Sequence, residues 1–158
     1  MTCILAIICD FESGDFCDFG VYGSGAFNFS VKQGQEFANS EEGPQTDDEG
    51  NTSGHFAYIK SGLPGITETS SAIIETQMIH GANHLIECFE FSIAMMKDGG
   101  LRSITVIQQD EELDADHGEI VELWSYTSEQ VNNSDWFIGR VETRAHYHDE
   151  IPQNYTVS

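Results

Sequence analysis

The segment CDFESGDFC, residues 9–17, begins and ends with a cysteine. The spacing of these two cysteines indicates whether they bind a metal, act in redox chemistry or form a disulfide. Seven residues separate Cys9 from Cys17. Zinc sites use cysteines two to four residues apart, and redox sites use C-x-x-C. The spacing fits neither, so it favours a disulfide in an oxidising compartment over a metal or redox pair. We predict a Cys9–Cys17 bond.

Four N-glycosylation sequons bear on the compartment. Asn-x-Ser/Thr occurs at Asn28, Asn51, Asn132 and Asn154. Each asparagine is an acceptor if the chain enters the secretory pathway. We therefore expect an extracellular glycoprotein whose cysteines are read as disulfides.

Composition and charge exclude several function classes. The 158 residues suffice for one domain, and 39% hydrophobic and 11% aromatic residues can form a core. The formal net charge of −21, from 27 acidic and 6 basic residues, repels nucleic acid and anionic lipid. It favours cationic partners or a hard cation such as calcium. No apolar stretch approaches the length of a membrane span, so we expect no membrane insertion by this segment.

The first eight residues, MTCILAII, allow two interpretations. They are apolar but lack a basic start and a clear small-residue cleavage site. They are either the remnant of a signal peptide or a first β-strand that leads into Cys9. We favour the strand.

No catalytic constellation is recognisable, and we predict that the chain is not an enzyme. His80 and His84 have H-x-x-x-H spacing but lack the glutamate that follows the first histidine of the helical zinc motif. Ser24 lies between glycines but outside a G-x-S-x-G motif. The sequence also has no phosphate-binding loop.

Strand patterns dominate the rest of the chain. Short apolar or alternating segments are separated by Gly, Asn, Asp and Ser clusters, which is typical of an antiparallel β-sandwich. Residues 85–96 could also be read as a helix, but their period of two favours a strand. Residues 39–54 are predicted to be a long acidic loop, and 108–119 a hairpin tip. The predicted strands are 27–31, 54–62, 71–79, 85–96, 103–109, 120–127, 136–145 and 154–158.

The order of these segments resembles the MAM domain, an extracellular module of meprins, neuropilins and receptor-type tyrosine phosphatases. The resemblance begins with CDFE at 9–12 and continues through CFEF at 88–91. It then follows ELWS at 122–125 and DWFIGRVE at 135–142. It implies a jelly-roll β-sandwich over 9–158 that lacks its final strand or strands and its fourth cysteine.

The resemblance also implies site residues. Family members of known structure often hold an ion near the start of the domain, which assigns a structural calcium or sodium ion to Glu12 and to Asp47 or Asp48. Cys88 would pair with the fourth cysteine of the family. We therefore expect Cys88 to be buried and unpaired here, although Cys3 is an alternative partner.

The function implied is a non-enzymatic extracellular module for cell adhesion, receptor association or ectodomain assembly, with a protein partner that could be a second copy. Two alternatives stay open. One is the accessory domain of a secreted or membrane-bound metalloprotease, and the other is a calcium-dependent carbohydrate-binding jelly roll. The parent protein would be membrane-anchored or secreted.

Overall fold

A computed structural model describes residues 9–67, 69–76, 79–80, 88–96, 102–110, 120–130, 135–142 and 154–157. Within them the chain forms strands and two short 3-10 turns, Gly34–Phe37 and Ser128–Gln130. The strands are β1 Gly20–Gly23, β2 Ser30–Gln33, β3 His55–Tyr58, β4 Ala72–Glu75, β5 Ile79–His80, β6 Cys88–Ile93, β7 Ser103–Asp110, β8 Ile120–Thr127, β9 Phe137–Glu142 and β10 Asn154–Val157.

Every pairing among the described strands is antiparallel. β1 pairs with β4, β2 with β3, and β6 with β9, and a four-stranded sheet has the order β5–β10–β7–β8. The architecture is all-β and consistent with a β-sandwich, which confirms the predicted fold class.

Most predicted strands are present. β8 coincides with the predicted 120–127, and 88–93 is a strand rather than a helix. Residues 39–54 contain no strand, as predicted for a loop. β1 was missed because its glycines at 20 and 23 disfavour a strand; pairing with β4 supplies the ladder that propensity does not. Residues 1–8 and 111–119 lie outside the described residues.

The main core lies between the β6–β9 pair and the β7–β8 pair. Val106 of β7 and Val141 of β9 are buried, at 7% and 6% exposure. A bulge in β8 lets Leu123 and Trp124, which are consecutive, both pack against this centre. The remaining contacts come from Phe89 and Phe91 of β6.

A second aromatic group covers β3. Phe37 contacts both Phe56 and Tyr58, with ring centroids 6.0 and 4.9 Å apart. Trp136 meets Phe56 edge-on at 5.5 Å. The next residue, Phe137, instead contacts Tyr126 of β8 at 4.7 Å. Residues 136 and 137 therefore join the two aromatic groups.

The expectation that Cys88 is buried and unpaired was wrong. Cys88 is disulfide-bonded and only partly buried, and its partner lies outside the described residues. The reason is its place in β6. Phe89 and Phe91 face the core, so Cys88 faces the opposite side of the strand, where another cysteine can reach it.

Candidate functional site

The loop of residues 9–17 is closed by a disulfide between Cys9 and Cys17, whose Cα atoms are 5.9 Å apart. This confirms the pairing predicted from the spacing. Inside the loop, the Gly14 N–H donates to the Phe11 carbonyl at 2.8 Å, which forms a turn. The rings of Phe11 and Phe16 pack edge to face at 6.1 Å. The acidic loop is therefore a folded unit.

Two aspartates, Asp10 and Asp15, accept the hydrogen bonds that organise this loop. Asp15 Oδ1 accepts hydrogen bonds from the Ser13 hydroxyl at 2.7 Å and the Cys17 N–H at 2.8 Å. Asp10 Oδ1 accepts from the Glu12 N–H at 3.1 Å. In both cases the aspartate accepts a hydrogen bond from the backbone N–H two residues further along the chain. This is an Asx turn, which aspartate favours. The bonds from Ser13 and Cys17 hold the pKa of Asp15 below its ordinary value.

Glu12 fastens the loop to β3. Its Oε1 accepts a hydrogen bond from the His55 backbone N–H at 2.8 Å, and its Oε2 lies 3.4 Å from His55 Nδ1. On the other side of the imidazole, Gln33 Nε2 lies 2.9 Å from His55 Nε2. His55 therefore joins the stapled loop to β2, and no sequence motif singled it out.

Asp47 is a buried carboxylate at 7% exposure. Its Oδ1 accepts from the N–H groups of Glu49 at 3.0 Å and Asn51 at 2.7 Å. Its Oδ2 lies against Gly54, where any Cβ would collide with it. Asp47 thus closes the turn that leads into β3, whereas Asp48 is exposed.

The long acidic loop 39–54 is held at several points along its length. The Trp136 indole N–H donates to the Thr46 carbonyl at 2.8 Å, and the Tyr58 hydroxyl donates to the Glu42 carbonyl at 3.0 Å. Lys60 forms an ion pair with the Glu42 side chain at 2.7 Å. That pair raises the pKa of Lys60, and burial raises the pKa of Tyr58. The loop is therefore fixed against β3 and Trp136.

Two of the three predicted cation ligands contact neighbouring residues at the start of β3. Glu12 accepts a hydrogen bond from the His55 N–H, and the Asp47 carboxylate lies against Gly54. Calcium takes six to eight oxygens. In the part of the chain that the structure describes, no group of three or more His, Cys, Asp or Glu side chains could hold a metal ion. The donor chemistry suits calcium, but two carboxylates do not complete a site, so the cation stays a prediction.

Two of the four predicted glycosylation sites have described side chains. Asn28 and Asn51 are exposed. The Asn51 amide oxygen accepts from the Ser53 N–H at 3.1 Å and from the Ser53 hydroxyl at 2.9 Å. Asn132 and the side chain of Asn154 lie outside the described residues. Glycosylation at all four stays a prediction.

The described residues form antiparallel β-strands, and the disulfide-closed loop of residues 9–17 is hydrogen-bonded to β3 through Glu12. In a comparison with protein-family models, residues 9–151 match the MAM domain, meprin/A5/mu. The chain therefore belongs to the MAM domain family, as the motif order predicted. No curated protein and no solved structure matched the chain. Among the described residues, no helix is long and apolar enough to cross a membrane.

Proposed function

We propose that this chain is an extracellular, non-catalytic interaction domain that binds a protein partner in adhesion, receptor association or ectodomain assembly. Membership of the MAM family is the observation that carries the proposal, because it covers residues 9–151 and suggests an extracellular interaction module. The disulfide between Cys9 and Cys17 supports it, since such bonds persist in oxidising compartments.

The outer face of the β1–β4 pair is the surface we assign to the partner. Tyr22 and Ile73 lie directly opposite each other in the register and are 57% and 41% exposed. The Tyr22 side chain lies beside Gly20, with a ring carbon 2.9 Å from where a Cβ would be, so it extends along the strand rather than away from it. Aromatic side chains are enriched at the centres of protein interfaces.

Charge favours a partner with basic residues around an apolar contact. The formal net charge is −21, so two copies of the chain repel each other while a basic surface is attracted. Attraction between exposed charges weakens as salt increases. We therefore expect a partner of another kind, with salt-sensitive binding, and treat self-association as the alternative outcome.

Calcium and glycans complete the proposal. We propose that Glu12 Oε2 and Asp47 Oδ2 bind a structural calcium ion together with oxygens outside the described residues. Calorimetric titration with calcium should lose its heat of binding in Glu12→Ala and Asp47→Ala but keep it in Asp48→Ala. Equal binding by all three variants would reject this ligand assignment.

Mass spectrometry of secreted protein should find glycans on Asn28, Asn51, Asn132 and Asn154.

A cell-binding experiment tests the function. The secreted, glycosylated domain is displayed on a multivalent carrier and incubated with cells at low and high salt, while sedimentation of the free domain reports self-association. We expect binding that is lost after trypsin treatment of the cells and weakened by salt. Binding that survives trypsin but disappears with chelator or glycosidase would instead favour carbohydrate recognition. No binding to any cell type, with a monomer in solution, would overturn the proposal.

A further inference from the structure

The outer face of the β1–β4 pair carries a carboxylate beside the exposed Tyr22 ring. Residues opposite each other in an antiparallel pair share a face, and so do residues two apart in one strand. Gly20 lies opposite Glu75 in the register, and Tyr22 lies opposite Ile73. Tyr22, Ile73 and Glu75 therefore form one continuous surface.

Gly20 brings the end of the tyrosine side chain to the glutamate. A ring carbon and the hydroxyl oxygen of Tyr22 lie 2.9 and 3.0 Å from where a Gly20 Cβ would be. Cβ positions of opposite residues in an antiparallel pair are about 4.5–5.5 Å apart. The phenol end of Tyr22 and the start of the Glu75 side chain are therefore neighbours across the pair.

The Glu75 carboxylate has no partner in the described part of the chain. Glu75 is half-buried, and none of the hydrogen bonds or ion pairs of the described residues includes its side chain or the Tyr22 hydroxyl. Three of the six Lys and Arg residues of the chain are paired with other glutamates, as Lys32–Glu36, Lys60–Glu42 and Arg140–Glu90. A carboxylate beside an aromatic ring, without a cation from the described residues, is suited to a cation from a partner.

We infer that this surface binds an arginine side chain of the partner, an inference that rests on the proposed use of the Tyr22–Ile73 surface. The guanidinium pairs with the Glu75 carboxylate and packs against the Tyr22 ring, and the aliphatic stem lies along Ile73. Guanidinium is planar, hydrogen-bonds a carboxylate through two N–H groups and stacks on aromatic rings. A lysine ammonium is a compact, strongly hydrated charge with no plane to stack, so arginine suits the surface better.

The spacing along β4 fits this side chain. Ile73 and Glu75 are two residues apart, or about 6.8 Å of strand. Arginine lays its methylene stem on apolar surface while its charged head reaches a polar group. An extended arginine whose stem begins at Ile73 therefore places its guanidinium near Glu75, with Tyr22 beside both.

NMR titration tests the site with a small probe. N-acetyl-arginine amide is added to the secreted domain at low salt, while the signals of the Tyr22 ring and the Glu75 carboxyl are followed. We expect saturable shifts of both signals and a Kd at least about threefold weaker in Glu75→Gln and in Tyr22→Leu. Glu122→Gln is the matched control, because Glu122 is an exposed acid on β8, and it should leave the Kd unchanged.

Two further probes separate charge from shape. N-acetyl-citrulline amide has nearly the shape of the arginine probe without its charge, and it should shift neither signal. N-acetyl-lysine amide has the charge without the planar head, and it should bind at least about threefold more weakly than the arginine amide.

Failure of the arginine site and failure of the proposed function give different results. Equal Kd values for the parent and Glu75→Gln, or equal binding of the arginine and citrulline amides, would overturn the arginine site, even if the parent domain binds cells. Arginine binding that depends on Glu75, without binding to any cell type, would support the arginine site and count against the proposed function.

Discussion

The carboxylate of Glu12 accepts a hydrogen bond from the backbone N–H of His55 at 2.8 Å, across 43 positions of the sequence. Because Glu12 lies inside the Cys9–Cys17 loop, this bond fixes a covalently closed loop to β3. The same strand is reached by the turn that Asp47 closes. The two acidic segments of the chain therefore meet at the start of β3.

Removing the Glu12 carboxylate should loosen this attachment. Glu12→Ala leaves the His55 N–H without its acceptor, and we expect a loss of about 1 kcal/mol in the free energy of unfolding, measured with urea. Glu12→Gln keeps an acceptor oxygen and should recover most of it. Glu41→Gln changes an exposed acid in the long loop and should have no effect. An alanine variant as stable as the parent would refute the structural role of this bond.

Asp47 and Asp48 form a natural pair of test and control. Asp47→Ala removes the acceptor of two backbone N–H groups from a buried turn, and we expect a loss of about 1–3 kcal/mol. Asp48→Ala changes an exposed side chain and should stay within about 0.5 kcal/mol of the parent. Urea unfolding measures both, and equal effects would contradict the assignment of Asp47 to the turn.

The titration of Asp15 reports on the order of the stapled loop. Its lowered pKa comes first from the Ser13 hydroxyl and then from the Cys17 N–H. Because the folded pKa of Asp15 is depressed, its contribution to stability is present above the unfolded pKa of about 3.9. It is lost as the pH falls through the folded value.

Carbon NMR of the Asp15 carboxyl should show this low pKa in the parent. Ser13→Ala should raise it toward the ordinary value. The lowered pKa of Glu36, which is set first by Lys32, should not change and serves as the internal control. An Asp15 pKa that is the same with and without the serine hydroxyl would contradict the described hydrogen bond.

Gly139 tests the packing of the core. It lies opposite Phe91 in the register, and a Cβ at this position would collide with the Phe91 ring. Overpacking of this kind typically costs about 1–3 kcal/mol, which we expect for Gly139→Ala in thermal or urea unfolding. Ser125→Ala, on the exposed side of β8, should be neutral. If Gly139→Ala were as stable as the parent, the Phe91 ring would not be packed against position 139 as described.

Much of the fold could be read from local sequence. The alternation at 88–93 identifies β6, and the apolar pattern at 120–127 identifies β8. The seven-residue spacing of Cys9 and Cys17 excluded the common metal and redox motifs, which left a disulfide. These features depend on neighbours in the chain, so a single sequence contains them.

The remaining features depend on contacts between distant segments. β1 contains two glycines, and only its pairing with β4 makes it a strand. Asp47 and Asp48 are chemically equivalent in the sequence, and the turn to Asn51 decides which one is buried. The role of His55 depends on its contact with Glu12, which is 43 residues away in the sequence and leaves no local pattern.

Binding through the Tyr22–Ile73 surface is the central claim of this account. Its most direct test is the cell-binding measurement with the double variant Tyr22→Ser/Ile73→Ser, beside Ile104→Ser, an exposed isoleucine of β7, as the matched control. We predict that the double variant stays folded by circular dichroism and loses at least about tenfold in binding, while the control binds like the parent. Equal binding by all three proteins would contradict the claim.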